Sequence, residues 1–195
     1  MLLSDIKKEL RANMNGIASK AMRDAGMTAD YRVNYGVELP RLQSLAADVL
    51  HDMLPEETNP EEAQAQLAQQ LWKEAVRECR ILALFLYPSQ RMDIELADVW
   101  AESIHTLEIA QIAALNLFSK IPDASTLAFR WIAGEHEMKQ LIGFYTVFHV
   151  VRDGKLSNRS FQELADQTET ALHADNPQLK LIANKIRLLW EQDAP

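Results

Sequence analysis

The sequence contains one cysteine, no long apolar run and no block of basic residues, and each absence narrows what the chain can be. A single cysteine, Cys79, cannot close an internal disulfide, which agrees with a reducing compartment. No apolar run reaches the roughly 18 residues that a membrane-spanning helix needs. The first nine residues turn polar after Leu3 and lack the apolar core of a signal peptide. We therefore expect a cytoplasmic protein with no membrane partner.

Glycine and proline are also scarce, with 6 and 7 occurrences among 195 residues. Hydrophobic residues make up 48% of the chain and charged residues 25%, which is typical of a folded globular protein. A chain of this length can bury a sizeable core. We expect a single domain that covers residues 1–195.

Acidic residues outnumber basic ones by 28 to 20, which gives a formal net charge of −8. Affinity for a nucleic-acid backbone comes largely from lysine and arginine side chains that neutralise phosphates, so the overall sign disfavours such a partner. A local basic face can still override the total. Most exposed charges are expected to be solvated. The scattered basic candidates are Arg23, Arg32, Arg41, Arg77, Arg80, Arg130, Lys139 and Arg152.

Apolar residues recur at helical spacing through almost the whole chain, and no segment has a convincing strand pattern. Residues 141–151 are rich in β-branched and aromatic side chains, but their flanks favour a helix. Residues 106–119 are apolar around most of the helix circumference, so we expect them to be buried centrally with residues 74–87. The predicted helices are 4–25, 40–54, 60–72, 74–87, 93–103, 106–119, 122–133, 136–152, 157–173 and 177–191.

Helix pairs that repeat about every 35–45 residues are typical of HEAT-like repeats, and an ordinary compact bundle is the alternative. Polar residues that favour helix starts precede several of these helices, among them Asn59, Ser157 and Asn176. Cys79 and His149 lie in apolar helical runs. We interpret them as a small buried residue and a core or boundary histidine rather than as catalytic groups.

The segment Tyr35-Gly36-Val37-Glu38-Leu39-Pro40 combines a glycine turn with a proline at a helix start. Gly36 can adopt a positive φ angle that other residues avoid. Pro40 suits the first helical turn, where its missing N–H is not needed. We predict a tight turn at Gly36 that leads directly into a helix.

Together with Leu71-Trp72 and the run Glu78-Cys79-Arg80-Ile81-Leu82-Ala83, this turn and its helix resemble the DNA alkylation-repair HEAT-repeat family, the AlkD-like alkylpurine DNA glycosylases. The resemblance extends over about residues 15–190. It implies an all-α, HEAT-like α-α superhelix of about five antiparallel helix pairs. It also implies a DNA-binding concave face and no cofactor.

The family's catalytic pattern is altered in this sequence. In the family, a tryptophan-rich turn leads four residues later to an aspartate that stabilises positive charge on the sugar during cleavage. Residues 102–110 contain neither tryptophan nor aspartate. Glu108 is the nearest catalytic substitute, and His105 is the candidate for one wall of the substrate pocket. Alternatively, Thr106 caps the helix and Glu108 only complements its positive end.

A second departure follows Trp131, where the family has an asparagine-tryptophan turn and then an arginine that contacts phosphate. Arg130 and Lys139 are the candidates to supply that charge, whereas Glu135 and Glu137 would repel phosphate. The resemblance therefore implies a divergent member that is weakly active or non-catalytic. Its partner would be DNA or a protein.

Two other interpretations remain open. One is a protein–protein interaction scaffold with no role on DNA, because helical repeats offer extended binding surfaces. The other is a di-iron carboxylate protein, because Asp48-x-x-His51 and Glu102-x-x-His105 each place a carboxylate and an imidazole on one helical face. Glu78 and Glu108 would then be the further ligands. The sequence has no zinc-type cysteine cluster or phosphate-binding glycine loop, and we expect neither a metal nor a cofactor.

Overall fold

The computed structural model describes residues 3–28, 31–53 and 59–193. Within these ranges the chain forms eleven α-helices and two short 3-10 turns, and it has no β-strand. None of the helices in the described ranges is long and apolar enough to cross a bilayer. The helices are α1 Leu3–Ala12, α2 Gly16–Asp24, α3 Leu39–Met53, α4 Pro60–Trp72, α5 Arg77–Leu86, α6 Ile94–Glu102, α7 Leu107–Asn116, α8 Ala124–Ile132, α9 Glu137–Arg152, α10 Asn158–Leu172 and α11 Pro177–Asp193.

The chain divides into two compact units. The first comprises Met1–Met92 and Thr106–Ile112, and the second comprises Asp93–His105 and Ala113–Pro195. In the first unit, α5 packs against both α3 and α4, and α1 packs against α4. The prediction of a single domain stays a prediction.

In the second unit, consecutive helices pack as pairs, α8 with α9 and α10 with α11, and α9 also contacts α6 and α11. Close approach of α8 and α9 depends on Gly143, because a Cβ atom there would lie 2.8 Å from the Ala128 carbonyl oxygen. Phe118 and Trp131 pack edge to face with their ring centroids 5.0 Å apart. Residues 141–151 lie within α9, so the choice of helix over strand is confirmed.

Polar side chains mark the helix starts as predicted at two positions. The Asn59 side chain accepts a hydrogen bond from the Glu62 amide at 3.4 Å, and the Asn176 side chain accepts one from the Gln178 amide at 2.7 Å. Ser157 occupies the cap position of α10 but makes no capping hydrogen bond to the backbone. Satisfying the orphan amides of a helix start fixes where the helix begins.

The predicted helix 4–25 is wrong as a single element, because the chain breaks between α1 and α2. The Asn13 side chain donates to the Glu9 carbonyl oxygen at 2.8 Å, and Asn15 caps α2 by accepting from the Ala18 amide at 3.0 Å. The Asn15 amide donates instead to the Tyr35 carbonyl oxygen. Short polar side chains compete with helical hydrogen bonds in this way, and here they redirect the backbone.

The two helices expected to be central both contribute fully buried residues to the core. In α5 the apolar residues 81–84 are all fully buried, and in α7 Ile109, Ala110, Ala113 and Ala114 are inaccessible. Cys79 is buried as predicted, and this burial raises the pKa of its thiol to about 12. A thiol with such a pKa is protonated at neutral pH and inert as a nucleophile.

The turn at Gly36 has the predicted geometry. Gly36 has a φ angle of +70°, and α3 begins at Leu39 with Pro40 as its second residue. A Cβ atom on Gly36 would lie 2.3 Å from the Asn15 carbonyl oxygen and 2.5 Å from the Ser19 amide nitrogen. The position thus excludes a side chain both by backbone conformation and by the proximity of the α2 backbone.

Replacing Gly36 by valine is expected to lower the free energy of unfolding by more than the roughly 1–3 kcal/mol typical of backbone strain alone. Gly154 provides the matched control, because its φ angle of +66° is similar but no neighbouring group lies within 4 Å of the place that a Cβ atom would take. Urea unfolding of Gly36→Val and Gly154→Val separates the steric contribution from the conformational one. Equal losses in the two variants would show that the contact with α2 is unimportant.

Candidate functional site

A buried carboxylate holds the Gly36 turn in the first unit. Glu78 is fully buried on α5, and its two side-chain oxygens accept hydrogen bonds from the backbone amides of Tyr35, Gly36 and Val37 at 3.1, 2.9 and 3.3 Å. Three backbone donors can replace the hydration that a carboxylate loses on burial. Glu78 is therefore satisfied by the turn itself.

Arg77 extends this arrangement into a network with a second carboxylate. Its guanidinium donates to the Glu78 carboxylate and to the Val37 carbonyl oxygen, each at 3.2 Å. The Nε atom donates to Glu108 at 2.7 Å, and a second guanidinium nitrogen donates to the other Glu108 oxygen. Arg77 is only 1% exposed, so the sequence-based interpretation of this residue as a phosphate-contact candidate is wrong.

The charges in this network stabilise one another. Burial lowers the pKa of Arg77, but the hydrogen bond and charge of Glu108, together with Glu78, outweigh that effect and raise it. The guanidinium is consequently a permanent cation between two carboxylates. Both oxygens of Glu108, the predicted catalytic residue, are engaged by this cation, and its side chain is 18% exposed.

Arg77→Met is expected to destabilise the fold by about 3–5 kcal/mol, because it leaves Glu78 and Glu108 without their cation. Arg41→Met is the control: Arg41 is 45% exposed and lies 3.9 Å from Glu9, so its loss is expected to change stability by about 1 kcal/mol or less. Chemical denaturation of both variants measures the difference. A loss for Arg77→Met as small as that of the control would contradict a stabilising role for the network.

In the second unit, Asp98 on α6 brings two of the predicted binding residues together. Its Oδ1 accepts hydrogen bonds from Trp131 Nε1 at 2.9 Å and from Lys139 Nζ at 3.0 Å. Its Oδ2 lies 3.5 Å from an Arg130 guanidinium nitrogen. The cluster of Asp98, Arg130, Trp131 and Lys139 carries two positive charges and one negative charge. Asp98 therefore offsets part of the positive charge that Arg130 and Lys139 would offer to a phosphate.

Asp98 is held in its charged form. Partial burial raises the pKa of Asp98, but hydrogen bonds from Trp131 and Lys139 and the charges of Lys139 and Arg130 bring it below the ordinary value of 3.8. The folded state thus binds a proton at Asp98 less readily than the unfolded chain does. The charged form of Asp98 therefore stabilises the fold at pH values above the ordinary pKa of 3.8. This stabilisation is lost as the pH falls through the lowered pKa.

Asp98→Asn is therefore expected to destabilise the protein at pH 7, with the difference from the parent shrinking as the pH falls below about 4. Urea unfolding at about pH 7, 5 and 3 measures this trend. Glu95→Gln is the control, because Glu95 is exposed on the same helix and its substitution should have little effect at any of these values. A difference for Asp98→Asn that stays constant with pH would contradict the proposed ionic contribution.

The remaining candidates lie outside these two networks. His105 is exposed beyond the end of α6, and Glu135 and Glu137 are also exposed. His149 is buried, and desolvation first of all, with the charge of Arg152, lowers its pKa to about 4. It is neutral at pH 7, in agreement with the prediction of a core or boundary histidine.

The di-iron interpretation has no supporting arrangement in the described part of the chain. Nowhere in residues 3–28, 31–53 and 59–193 do three or more histidine, cysteine, aspartate or glutamate side chains gather closely enough to hold a metal. Asp48 and His51 are exposed, whereas Glu78 and Glu108 are bound to Arg77. The two further ligands named for a metal are thus bound to a cation instead.

Sequence reasoning missed the structural roles of Arg77 and Glu78 and did not single out Asp98. Adjacent charges at the start of a strongly apolar helix were the available signal, since full burial of a charge requires a partner. Asp98 gave no comparable signal, because its partner Trp131 lies 33 positions away. An aspartate in the middle of an amphipathic helix is ordinarily interpreted as part of a solvated face.

Comparisons with known proteins agree with this architecture. A family model described as DNA alkylation repair enzyme matches residues 6–180. A solved structure of "a new family of proteins related to the HEAT-like repeat DNA glycosylases with affinity for branched DNA structures" superposes with a TM-score of 0.79 at 15% sequence identity, over 99% of this chain and 80% of that chain. No curated protein matches significantly. The predicted all-α, HEAT-like fold class is confirmed.

Proposed function

Because the chain belongs to the DNA alkylation repair enzyme family, we propose that it binds DNA and releases alkylated bases weakly or not at all. Catalysis in such a protein would require a carboxylate that can face the positive charge developing on the sugar. Glu108 is the residue proposed for that role. His105, Arg130 and Lys139 are the residues proposed to contact the substrate.

The pairing of Glu108 with Arg77 carries the proposal of weak activity. A carboxylate stabilises a cationic transition state through its negative charge, and that charge is already neutralised by a guanidinium that contacts both oxygens. Moving Glu108 towards a substrate would break its pairing with Arg77. The buried guanidinium would then keep Glu78 as its one carboxylate partner in the network described here. The absence of tryptophan and aspartate from residues 102–110 supports the same conclusion.

Binding to DNA is supported by the family and by the Asp98 cluster. The structurally similar protein is described as having affinity for branched DNA. In this chain Arg130 is 59% exposed, and after pairing with Asp98 the cluster keeps one net positive charge beside Trp131. We propose branched or otherwise distorted DNA as the ligand, with little dependence on base sequence, because phosphate contacts carry no sequence information directly.

Release of 7-methylguanine or 3-methyladenine from methylated duplex DNA is expected to be weak or undetectable for the parent protein. Glu108→Gln is expected to abolish any residual release, because a neutral amide cannot stabilise the sugar cation. Chromatography of the freed bases measures both proteins. Glu95→Gln on α6 is the control for a change of one charge. Robust release by the parent would overturn the proposal of a weak or inactive enzyme.

The same preparations test DNA binding through the anisotropy of labelled oligonucleotides. A four-way junction and a linear duplex of equal length should both bind with an affinity that falls as salt rises, and the junction should bind more tightly. Absence of salt-sensitive binding to either DNA would remove the DNA role. It would then favour the protein-interaction scaffold considered from the sequence.

A further inference from the structure

The first unit contains a basic cavity, although the chain as a whole is acidic. It has a volume of about 510 Å³, and its charged lining residues are Lys7, Arg11, Arg32, Lys73 and Glu74, with Tyr35 beside them. Four cations and one carboxylate give this cavity a formal charge of +3, although the whole chain carries −8. Its size falls within the roughly 300–1,000 Å³ typical of small-molecule sites.

Among the residues that the structure describes, three of the four cations have no acid paired with them. Lys7 forms an ion pair with Glu74 at 2.7 Å, and Glu74 is the one carboxylate among the described lining residues. Arg11, Arg32 and Lys73 are exposed, and within the described ranges no carboxylate lies within 4 Å of their charged groups. Elsewhere, exposed cations such as Lys20 and Arg152 pair with acids on their own helix or its end. The cavity therefore keeps its positive charge available to an anion.

The backbone that carries Arg32 is held in place. The amides of Arg32 and Val33 both donate to the Ala75 carbonyl oxygen, at 2.9 and 3.2 Å, and the Arg77 amide donates to the Val33 carbonyl oxygen at 3.3 Å. Three residues further on, the buried Glu78 carboxylate binds the turn. A cation on an anchored backbone loses less freedom when it binds an anion than one on a mobile loop would.

A second cavity of about 310 Å³ adjoins the first through their shared residues Arg32 and Val33. It adds Arg23 and Tyr31, and none of its lining residues in the described part of the chain is acidic. Arg80 faces the Tyr31 ring at 6.0 Å and the Trp72 ring at 5.0 Å. Two adjoining basic cavities, each with a tyrosine, suit an extended polyanion that has flat rings better than they suit a single phosphate ion.

From this arrangement we infer that the two cavities form a phosphate-binding site for one unpaired DNA strand, with Arg32 at the centre and Arg11, Lys73 and Arg23 around it. Tyr31 and Tyr35 offer rings against which the bases of the strand can stack. This inference rests on the proposed DNA binding and adds the location and the strandedness of the ligand. It assigns no role to Glu108 or to the Asp98 cluster.

The test compares Arg11→Gln/Arg32→Gln with Lys180→Gln/Lys185→Gln, which removes the same two charges from exposed positions on α11. The probes are a fluorescent 20-nucleotide oligothymidine and a 20-base-pair duplex, titrated between about 50 and 200 mM salt. For the cavity variant we expect oligothymidine affinity to fall about tenfold and the magnitude of the salt slope to fall by about 1.4. The control variant should retain the parent values. All four substituted side chains are exposed, so both variants are expected to fold, and thermal unfolding checks this.

Tyr35→Leu provides a second measurement that does not depend on charge. If a base stacks on Tyr35, this variant binds oligothymidine roughly fivefold or more weakly with an unchanged salt slope. Parent-like binding by both cavity variants would overturn the site and leave the proposed DNA binding intact. Failure of the parent to bind oligothymidine would overturn the site, whereas the proposed DNA binding would be overturned only if the four-way junction also failed to bind. An equal loss in the α11 control would also overturn the site, because it would show a response to net charge alone.

Discussion

The fully buried carboxylate of Glu78 is the constraint on which the first unit depends. It receives the amides of Tyr35, Gly36 and Val37 on one side and the Arg77 guanidinium on the other. A buried charge without such partners would be prohibitively unfavourable, so the turn, the start of α5 and the approach of α7 must form together. The positive φ angle of Gly36 is what allows consecutive amides to converge on a single carboxylate.

That constraint also determines where positive charge is exposed. The segment that Glu78 holds continues backwards into Val33 and Arg32, whose amides bind the Ala75 carbonyl oxygen. The hydrogen bonds to Glu78 and to the Ala75 carbonyl oxygen thus fix a segment that presents Arg32 to solvent. Even in an acidic chain, the electrostatic field near a cavity depends mainly on the charges that line it. The position of those side chains therefore affects anion binding more than the net charge of the chain does.

Features that depend on near neighbours could be predicted from the sequence. The turn at Gly36, the cap at Asn59 and the helical character of residues 141–151 follow from residue type and spacing, and the structure confirms them. The break at residues 13–15 was missed because Asn15 donates to Tyr35, a partner that helical periodicity does not reveal. Glu78 and its turn are about 42 positions apart, and Arg77 and Glu108 are 31 apart. Such pairings arise only once the helices have packed.

The large sequence separation between interacting residues also explains why the chemistry of this chain is harder to infer than its architecture. Local signals placed Glu108 in the first turn of a helix, where it could serve either as a helix-end charge or as a catalyst. Its actual partner is Arg77, which itself is required by the charge of Glu78. Two carboxylates share one guanidinium, and three backbone amides supply the remaining stabilisation of Glu78. Glu108 is the more exposed of the two carboxylates, and it does not bind the turn amides as Glu78 does, so the turn depends on its charge less than on that of Glu78. A carboxylate in that position serves the fold through the arginine, and any catalytic use would have to compete with that pairing.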